Sequence, residues 1–258
     1  MSDPVLVEHD GDIVTVVLNR PEKRNALNKA MWTGVGSAMT RLSDDDGIRC
    51  VVIRGAGGTF SPGADIAEFE SVRADSRQAA EYGRLMHATM RAVGACRHPT
   101  VALIEGVCVG GGLELATMAD IRICGDSSRF GVPINRIGVV MAYPEVSALL
   151  GLVGRAATLE ILFEGRVFGA SEAKDKGLVN RAVPDDRVEQ EAYECARRIA
   201  DGAPLVNRWH KAFVNRLQDP KPISDTEAQE CYATFDTEDF NRGFRAFLRK
   251  EKPEFIGR

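Results

Sequence analysis

Apolar positions fall into short continuous runs and longer helical stripes that alternate through most of the chain. Val5–His9 and Ile13–Leu18 are β-rich runs joined by Asp10-Gly11-Asp12, a pattern that predicts a hairpin. A polar, basic loop follows, Arg20-Pro21-Glu22-Lys23-Arg24-Asn25. Asn28 then caps a predicted helix with Met31, Val35, Met39 and Leu42 at helical spacing, ended by Asp44-Asp45-Asp46-Gly47. That acidic run reads as a solvated loop, since no further carboxylates cluster near it. Cys50–Arg54, Thr100–Ile104 and Ile121–Cys124 read as strands, and Ser76–Cys96 as a long helix. Pro144–Leu152 and Ala156–Phe163 predict two helices. Ser171–Lys176 predicts a short one, capped by Ser171 and stopped by Gly177, before an extended Leu178–Val183. Beyond that the pattern is helical over Val188–Ala200, Leu205–Leu217, Thr226–Phe235 and Glu238–Lys250. The last carries Phe240, Phe244, Phe247 and Leu248 on one stripe, which needs either its own core or a partner surface. The expectation is an α/β region over residues 1–200 followed by a helical region over 201–258.

Composition narrows the class without deciding it. At 258 residues, 44% hydrophobic and 27% charged, the chain has the balance of a soluble globular protein with a sizeable core. A net charge of −4 argues against nucleic acid as the main partner. No apolar run reads as long enough to span a membrane, and the opening MSDPVLVEHD lacks the features of a signal peptide. Six scattered cysteines with no C-x-x-C pair fit buried, reduced thiols rather than a disulfide framework or a zinc site. A cytoplasmic protein with no metal and no membrane partner is expected. The four histidines show no metal-ligand spacing, and His98, before Pro99, reads as structural.

Two glycine-rich turns carry the candidate chemistry. The first is Gly55-Ala56-Gly57-Gly58-Thr59-Phe60-Ser61-Pro62-Gly63-Ala64-Asp65-Ile66, after the strand at Cys50. It is no dinucleotide fingerprint, because Phe60 stands where the third glycine would be, so nicotinamide and flavin cofactors are not expected. Pro62-Gly63 signals a turn, and Asp65 with Glu68 resembles a capping pair opening a helix at Ile66. The second turn is Gly106-Val107-Cys108-Val109-Gly110-Gly111-Gly112-Leu113-Glu114-Leu115-Ala116, running from a strand into a helix over Leu113–Met118. Glycines at such a junction leave backbone N–H groups open to close approach by a ligand, a site for an anion or a developing oxyanion. Glu114 lies one helical turn from that opening, where a carboxylate can move a proton beside a polarised carbonyl. The alternative is that Gly110–Gly112 only allow tight helix–sheet packing and that Glu114 only favours a helix start.

Together the two turns resemble the crotonase (enoyl-CoA hydratase/isomerase) superfamily. The similarity runs in order through nearly the whole chain. It includes Asn25-Ala26-Leu27, Phe60 through Ile66, Gly106 through Glu114 with Ala119-Asp120-Ile121, and Phe130-Gly131-Val132-Pro133. Gly165 with Ala173 through Val179, and Phe247 through Phe255, complete it. The resemblance implies a spiral of ββα units over 1–200, a helical trimerisation region over 201–258, and a homotrimer or hexamer acting on acyl-CoA thioesters. It implies that Ala64 and Gly111 donate to the thioester oxygen and that Glu114 handles the proton. It implies that Arg24, Ala26, Pro62, Asp65 and Ile66 line the CoA channel, and that Phe247 and Lys250 reach a neighbouring subunit's CoA. CoA enters as part of the substrate, and no separate cofactor is expected. Arg20, Lys23, Arg24 and Lys250 are candidate partners for its phosphates.

The chain departs from the family's hydratases at one position. Ile134 stands where they carry a second glutamate, so hydration of short enoyl-CoAs is expected to be weak. The loop after Gly138 reads Val139-Val140-Met141-Ala142-Tyr143-Pro144-Glu145 and lacks the usual small, glycine-rich run. Glu145 reads first as a carboxylate favouring the helix that starts at Pro144, and second as a base. Double-bond isomerisation and a non-catalytic acyl-CoA-binding role are the rival functions.

Overall fold

Strand β2 (Ile13–Leu18) is buried along its whole length, so both of its faces must be covered. It pairs antiparallel with β1 (Val5–Asp10) and parallel with β3 (Cys50–Gly55). The computed structural model describes residues 3–258; Met1 and Ser2 of the N-terminal stretch lie outside them. The sheet continues in parallel through β4 (Thr100–Ile104), β6 (Ile121–Gly125) and β9 (Arg181–Val183), in the order β1-β2-β3-β4-β6-β9. A second sheet, β5-β7-β8, is built from the short strands β5 (Val107–Val109), β7 (Arg129–Gly131) and β8 (Phe168–Gly169). Two units, β4-β5-α4 and β6-β7-α5, with α4 at Gly111–Thr117 and α5 at Tyr143–Glu164, run from a strand in the large sheet through a short strand in the small one into a helix.

Alternation along the buried strands sorts the core in two. Val14, Val16, Leu18, Val51, Ile53, Ala102, Ile104 and Cys124 face one way. They pack with α1 (Lys29–Asp44), α3 (Ser76–Gly94), α4 (Gly111–Thr117) and α5 (Tyr143–Glu164). Ile13, Cys50, Val52, Val101, Leu103 and Ile123 face the other way, onto Val188, Ala192, Cys195 and Ala196 of α7 (Val188–Ala200). Five of the six cysteines are buried, whereas Cys231 is exposed. The remaining helices are α2 (Phe69–Val72), α6 (Ala170–Asp175), α8 (Pro204–Leu217), α9 (Asp225–Gln229) and α10 (Glu238–Arg249). α8 is tied to the α/β part through Lys211, whose Nζ donates to Asp120 Oδ2 at 2.7 Å and to the His98 carbonyl at 3.0 Å.

Several local expectations change. Asn28 does cap α1, accepting from Met31 N–H at 2.9 Å. Ser171 caps nothing, because α6 already starts at Ala170 with Gly169 as its cap. Asp65 accepts from Ala67 N–H, but Glu68 turns away from a capping box and accepts from Lys29 N–H at 2.9 Å instead. Thr226–Phe235 is not one helix; α9 gives way to a 3-10 stretch over Glu230–Asp236. The two helices expected after Pro144 both form: α5 spans them but breaks at Gly154, where φ is 72° and ψ is 172°. By total length and composition that element could cross a membrane, but the break at Gly154 divides it. In the fold it is a mostly exposed helix whose Glu145, Leu149, Thr158 and Ile161 are buried.

Candidate active site

The two glycine turns meet because their lead-in segments are neighbours. Ser61 bridges Cys108 of β5 in parallel, with Ser61 N–H donating to the Val107 carbonyl at 2.8 Å and Val109 N–H to the Ser61 carbonyl at 3.0 Å. Ala64 lies three residues beyond Ser61, and Gly111 three beyond Cys108, so equal advance along paired chains brings them level. A second parallel bridge, Leu27 to Ala64, is held from both sides: Leu27 N–H donates to the Gly63 carbonyl at 2.7 Å and Asp65 N–H to the Leu27 carbonyl at 2.9 Å. In parallel pairing this leaves the N–H of Ala64 pointing away from Leu27. Gly111 is the first residue of α4, so its N–H has no intrahelical partner. Close approach fixes the glycine at 112, where a Cβ would sit 2.4 Å from the Ser61 carbonyl oxygen. Gly63 adopts φ of 101°, a region open to glycine.

Asn25 holds the first turn in place and was named in the sequence only as part of a motif. It is fully buried at φ of 63°, accepts from Arg20 N–H at 2.9 Å and donates to the carbonyls of Ala56 and Thr59. Ser61 Oγ donates to the Asn25 carbonyl at 2.9 Å and accepts from Gly63 N–H at 3.1 Å.

Both turns open on a cavity of about 280 Å³, lined by Pro62, Ala64, Ile66, Gly111, Glu114 and Ile134 among others. Its walls are otherwise largely apolar, with Trp32, Phe69, Met86, Val109, Val139 and Met141. Glu114 projects into it from the first turn of α4, 8% exposed, and its carboxyl finds no hydrogen-bond partner among the described residues. Burial in this apolar wall, reinforced by the negative charge of Glu145, pushes its pKa up to about 8; Arg73 opposes the rise. At neutral pH Glu114 therefore holds a proton.

Other residues singled out from the sequence lie elsewhere. Arg24 is exposed beyond the turn Pro21–Lys23, and Ala26 is half-buried next to it. Asp65 pairs with Arg20 at 3.0 Å, and Arg20 also donates to the Ala26 carbonyl at 2.7 Å. Arg20 thus clamps the loop to the first turn rather than standing free for a phosphate. Phe247 and Lys250 are exposed at the end of α10, away from the cavity.

The sequence pointed to Glu145 mainly as a helix-start carboxylate; it does lie in the first turn of α5, and it also lines the cavity. Ala142 is the residue preceding α5, and the Glu145 side chain makes no cap bond. It lines the same cavity as Glu114 and Ile134, only 3% exposed. Its Oε1 accepts from Nε2 of His87, on α3, at 2.8 Å. No sequence spacing signals His87, which meets Glu145 only through the packing of two helices far apart in the chain.

The fold sets two free N–H groups beside a buried carboxyl, an arrangement that can polarise a carbonyl and move a proton next to it. Comparison with known proteins gives the family. The enoyl-CoA hydratase/isomerase family profile matches residues 8–258. A "Probable enoyl-CoA hydratase" of Mycobacterium tuberculosis is 35% identical over 258 residues, covering 99% of both chains. A "Crotonyl-CoA hydratase" of Syntrophomonas wolfei is 32% identical over 257 residues, covering 98% of both. Among solved structures, an enoyl-CoA hydratase/carnithine racemase from Magnetospirillum magneticum superposes with a TM-score of 0.98 at 50% identity, covering 100% of this chain and 97% of that one. The chain belongs to the enoyl-CoA hydratase/isomerase family and has the crotonase fold. It is an acyl-CoA thioester enzyme of that family.

Proposed function

We propose that the protein adds water to, or removes it from, the double bond of a 2-enoyl-CoA with an apolar acyl group. The observation that carries this reading is the protonated Glu114 carboxyl set in an apolar cavity beside the N–H groups of Ala64 and Gly111. Those two N–H groups hold the thioester oxygen as negative charge develops on it. Glu114 gives its proton to the α-carbon in hydration and takes it back in dehydration. A binding-only role is disfavoured, because a buried carboxyl without a partner costs stability and does nothing for affinity. The CoA portion lies along Arg24, Ala26 and Asp65, with Lys23 and Arg24 free of ion pairs among the described residues. No nicotinamide or flavin is required, and buried thiols suit a reducing, cytoplasmic setting. The test is a panel of saturated and unsaturated acyl-CoAs followed by mass spectrometry. Gain of one water by a short 2-enoyl-CoA is expected; double-bond migration without water gain would favour isomerisation instead.

The working form is a trimer or a pair of trimers. Its support is exposed apolar surface on two elements: Leu150 and Phe163 on α5, and Phe240, Phe244, Phe247 and Leu248 on α10, with Phe247 83% exposed. In such an assembly Phe247 and Lys250 meet a neighbour's CoA rather than their own cavity. Light scattering should return the mass of three or six chains; an active monomer would contradict the assembly.

A further inference from the structure

Water addition needs two proton-handling groups, one for the water and one for the α-carbon, and Ile134 leaves the usual second place apolar. The cavity nonetheless contains a second carboxylate. Glu145 enters it from the first turn of α5, where the helix N-terminus favours negative charge. One of its oxygens is held by His87 Nε2 at 2.8 Å; the other, Oε2, is buried without any partner among the described residues. A buried carboxylate oxygen left without a donor is costly, and such groups call for an explanation. The charged or titratable groups around it are Glu114 and Arg73 in the cavity wall and His87 on α3.

We propose that Glu145 is the second catalytic carboxylate of this site, relocated from the place of Ile134, with His87 as its positioning residue. This rests on the reading of Glu114 above. In hydration, Glu145 Oε2 takes a proton from water as the water oxygen bonds to the β-carbon. The π pair of the double bond moves onto the thioester, whose oxygen is held by Ala64 and Gly111. Glu114 then delivers its proton to the α-carbon. One water is added, Glu114 is left ionised and Glu145 protonated, and a proton passed from Glu145 to Glu114 through solvent restores the start. Dehydration runs the same steps backwards. Acid and base roles call for two carboxyls at one site, and Glu114 and Glu145 both line this cavity.

Two reactions separate the carboxylates. Hydration of crotonyl-CoA needs both, whereas exchange of the α-hydrogens of butanoyl-CoA with D2O needs only the two N–H groups and Glu114 in its ionised form, so it is measured at pH near or above 8. Glu145→Gln, which keeps the side-chain shape, should cut hydration by about 10²–10⁴-fold and α-exchange by far less. Adding Ile134→Glu to that variant should recover hydration in part. His87→Ala should lower kcat for hydration with KM nearly unchanged, and His87→Gln, which retains a donor, should restore much of it. Should Glu145→Gln fail to fold, the His87 pair carries the test by itself. Hydration at the wild-type rate in folded Glu145→Gln, or no effect of His87→Ala on kcat, would overturn the proposal. Loss of both reactions in Glu114→Gln alongside that result would leave the reading of Glu114 standing. Retained α-exchange in Glu114→Gln would overturn the underlying reading itself.

Discussion

Glu114→Gln is expected to lower enoyl-CoA turnover by about 10²–10⁴-fold, the usual contribution of a positioned acid–base group, while acyl-CoA affinity stays nearly intact. Glutamine keeps the volume and polarity of the protonated acid, so the cavity keeps its shape and loses only the transferable proton. The wild-type pH profile should carry the same signature. With the Glu114 pKa raised to about 8, the acid form is abundant at neutral pH, and hydration should decline as pH rises through that value. Stability should follow the linked sign. The folded-state pKa lies above the ordinary 4.5, so the folded protein holds a proton that the unfolded chain has lost between these values. Its contribution is fully present below the lower value and declines until pH passes the upper one. Urea midpoints measured on either side of that window should differ less in Glu114→Gln than in wild type. Unchanged turnover in the folded variant would reduce Glu114 to a helix-start residue.

Gly111→Pro should cost about 10²–10³-fold in kcat, corresponding to about 2.7–4 kcal/mol for one oxyanion donor. Proline is well tolerated at the first position of a helix, where its missing N–H would be unpaired in any case. The preceding Gly110, at φ of 52° and ψ of −126°, is outside the helical region that a following proline disfavours. A Cβ at 111 would meet Trp32 Cζ2 at 3.4 Å, and Ala64 N and Leu27 Cδ1 at 3.6 Å, ordinary contacts. The ring also projects where the N–H pointed, so KM should rise as well. Gly111→Ala adds the same Cβ and keeps the donor, and should retain most of the activity. Steady-state kinetics on both variants, with circular dichroism as the check on folding, decides it. A folded Gly111→Pro variant with wild-type kcat would remove Gly111 from the oxyanion role.

Hydrophobic period made most of the scaffold legible, since runs buried on both faces can hardly be anything but inner strands. The limits appear where local signals are weak or compete. β5 is only three residues, Val107–Val109, and is hidden among glycines. Ser171 has a capping side chain, but the chain enters α6 one residue too early for it to serve. The break between the two helices after Pro144 was legible in the period, and Gly154, with its positive φ, makes it. At the site, Ala64, Gly111 and Glu114 were readable because the glycine turns are continuous in sequence. Glu145 was readable only as a helix-start carboxylate or a base, and its pairing with His87 not at all, because 58 residues separate them and only the packing of α3 against α5 brings the imidazole to the carboxylate. Arg20 shows the opposite failure, a basic residue that reads as a free phosphate ligand but is spent on Asp65 and the Ala26 carbonyl.

The proposed role of Glu114, working against a thioester oxygen held by Ala64 and Gly111, is to move the proton at the α-carbon. The most direct measurement is deuterium incorporation into butanoyl-CoA in D2O at pH near or above 8, followed by mass spectrometry, with wild type and Glu114→Gln side by side. This reports proton movement at the α-carbon without water addition, acyl-chain turnover or the second carboxylate. The wild-type enzyme should place deuterium at the α-carbon, and the Gln variant should incorporate none above the uncatalysed background. Equal incorporation by the two proteins would contradict the claim.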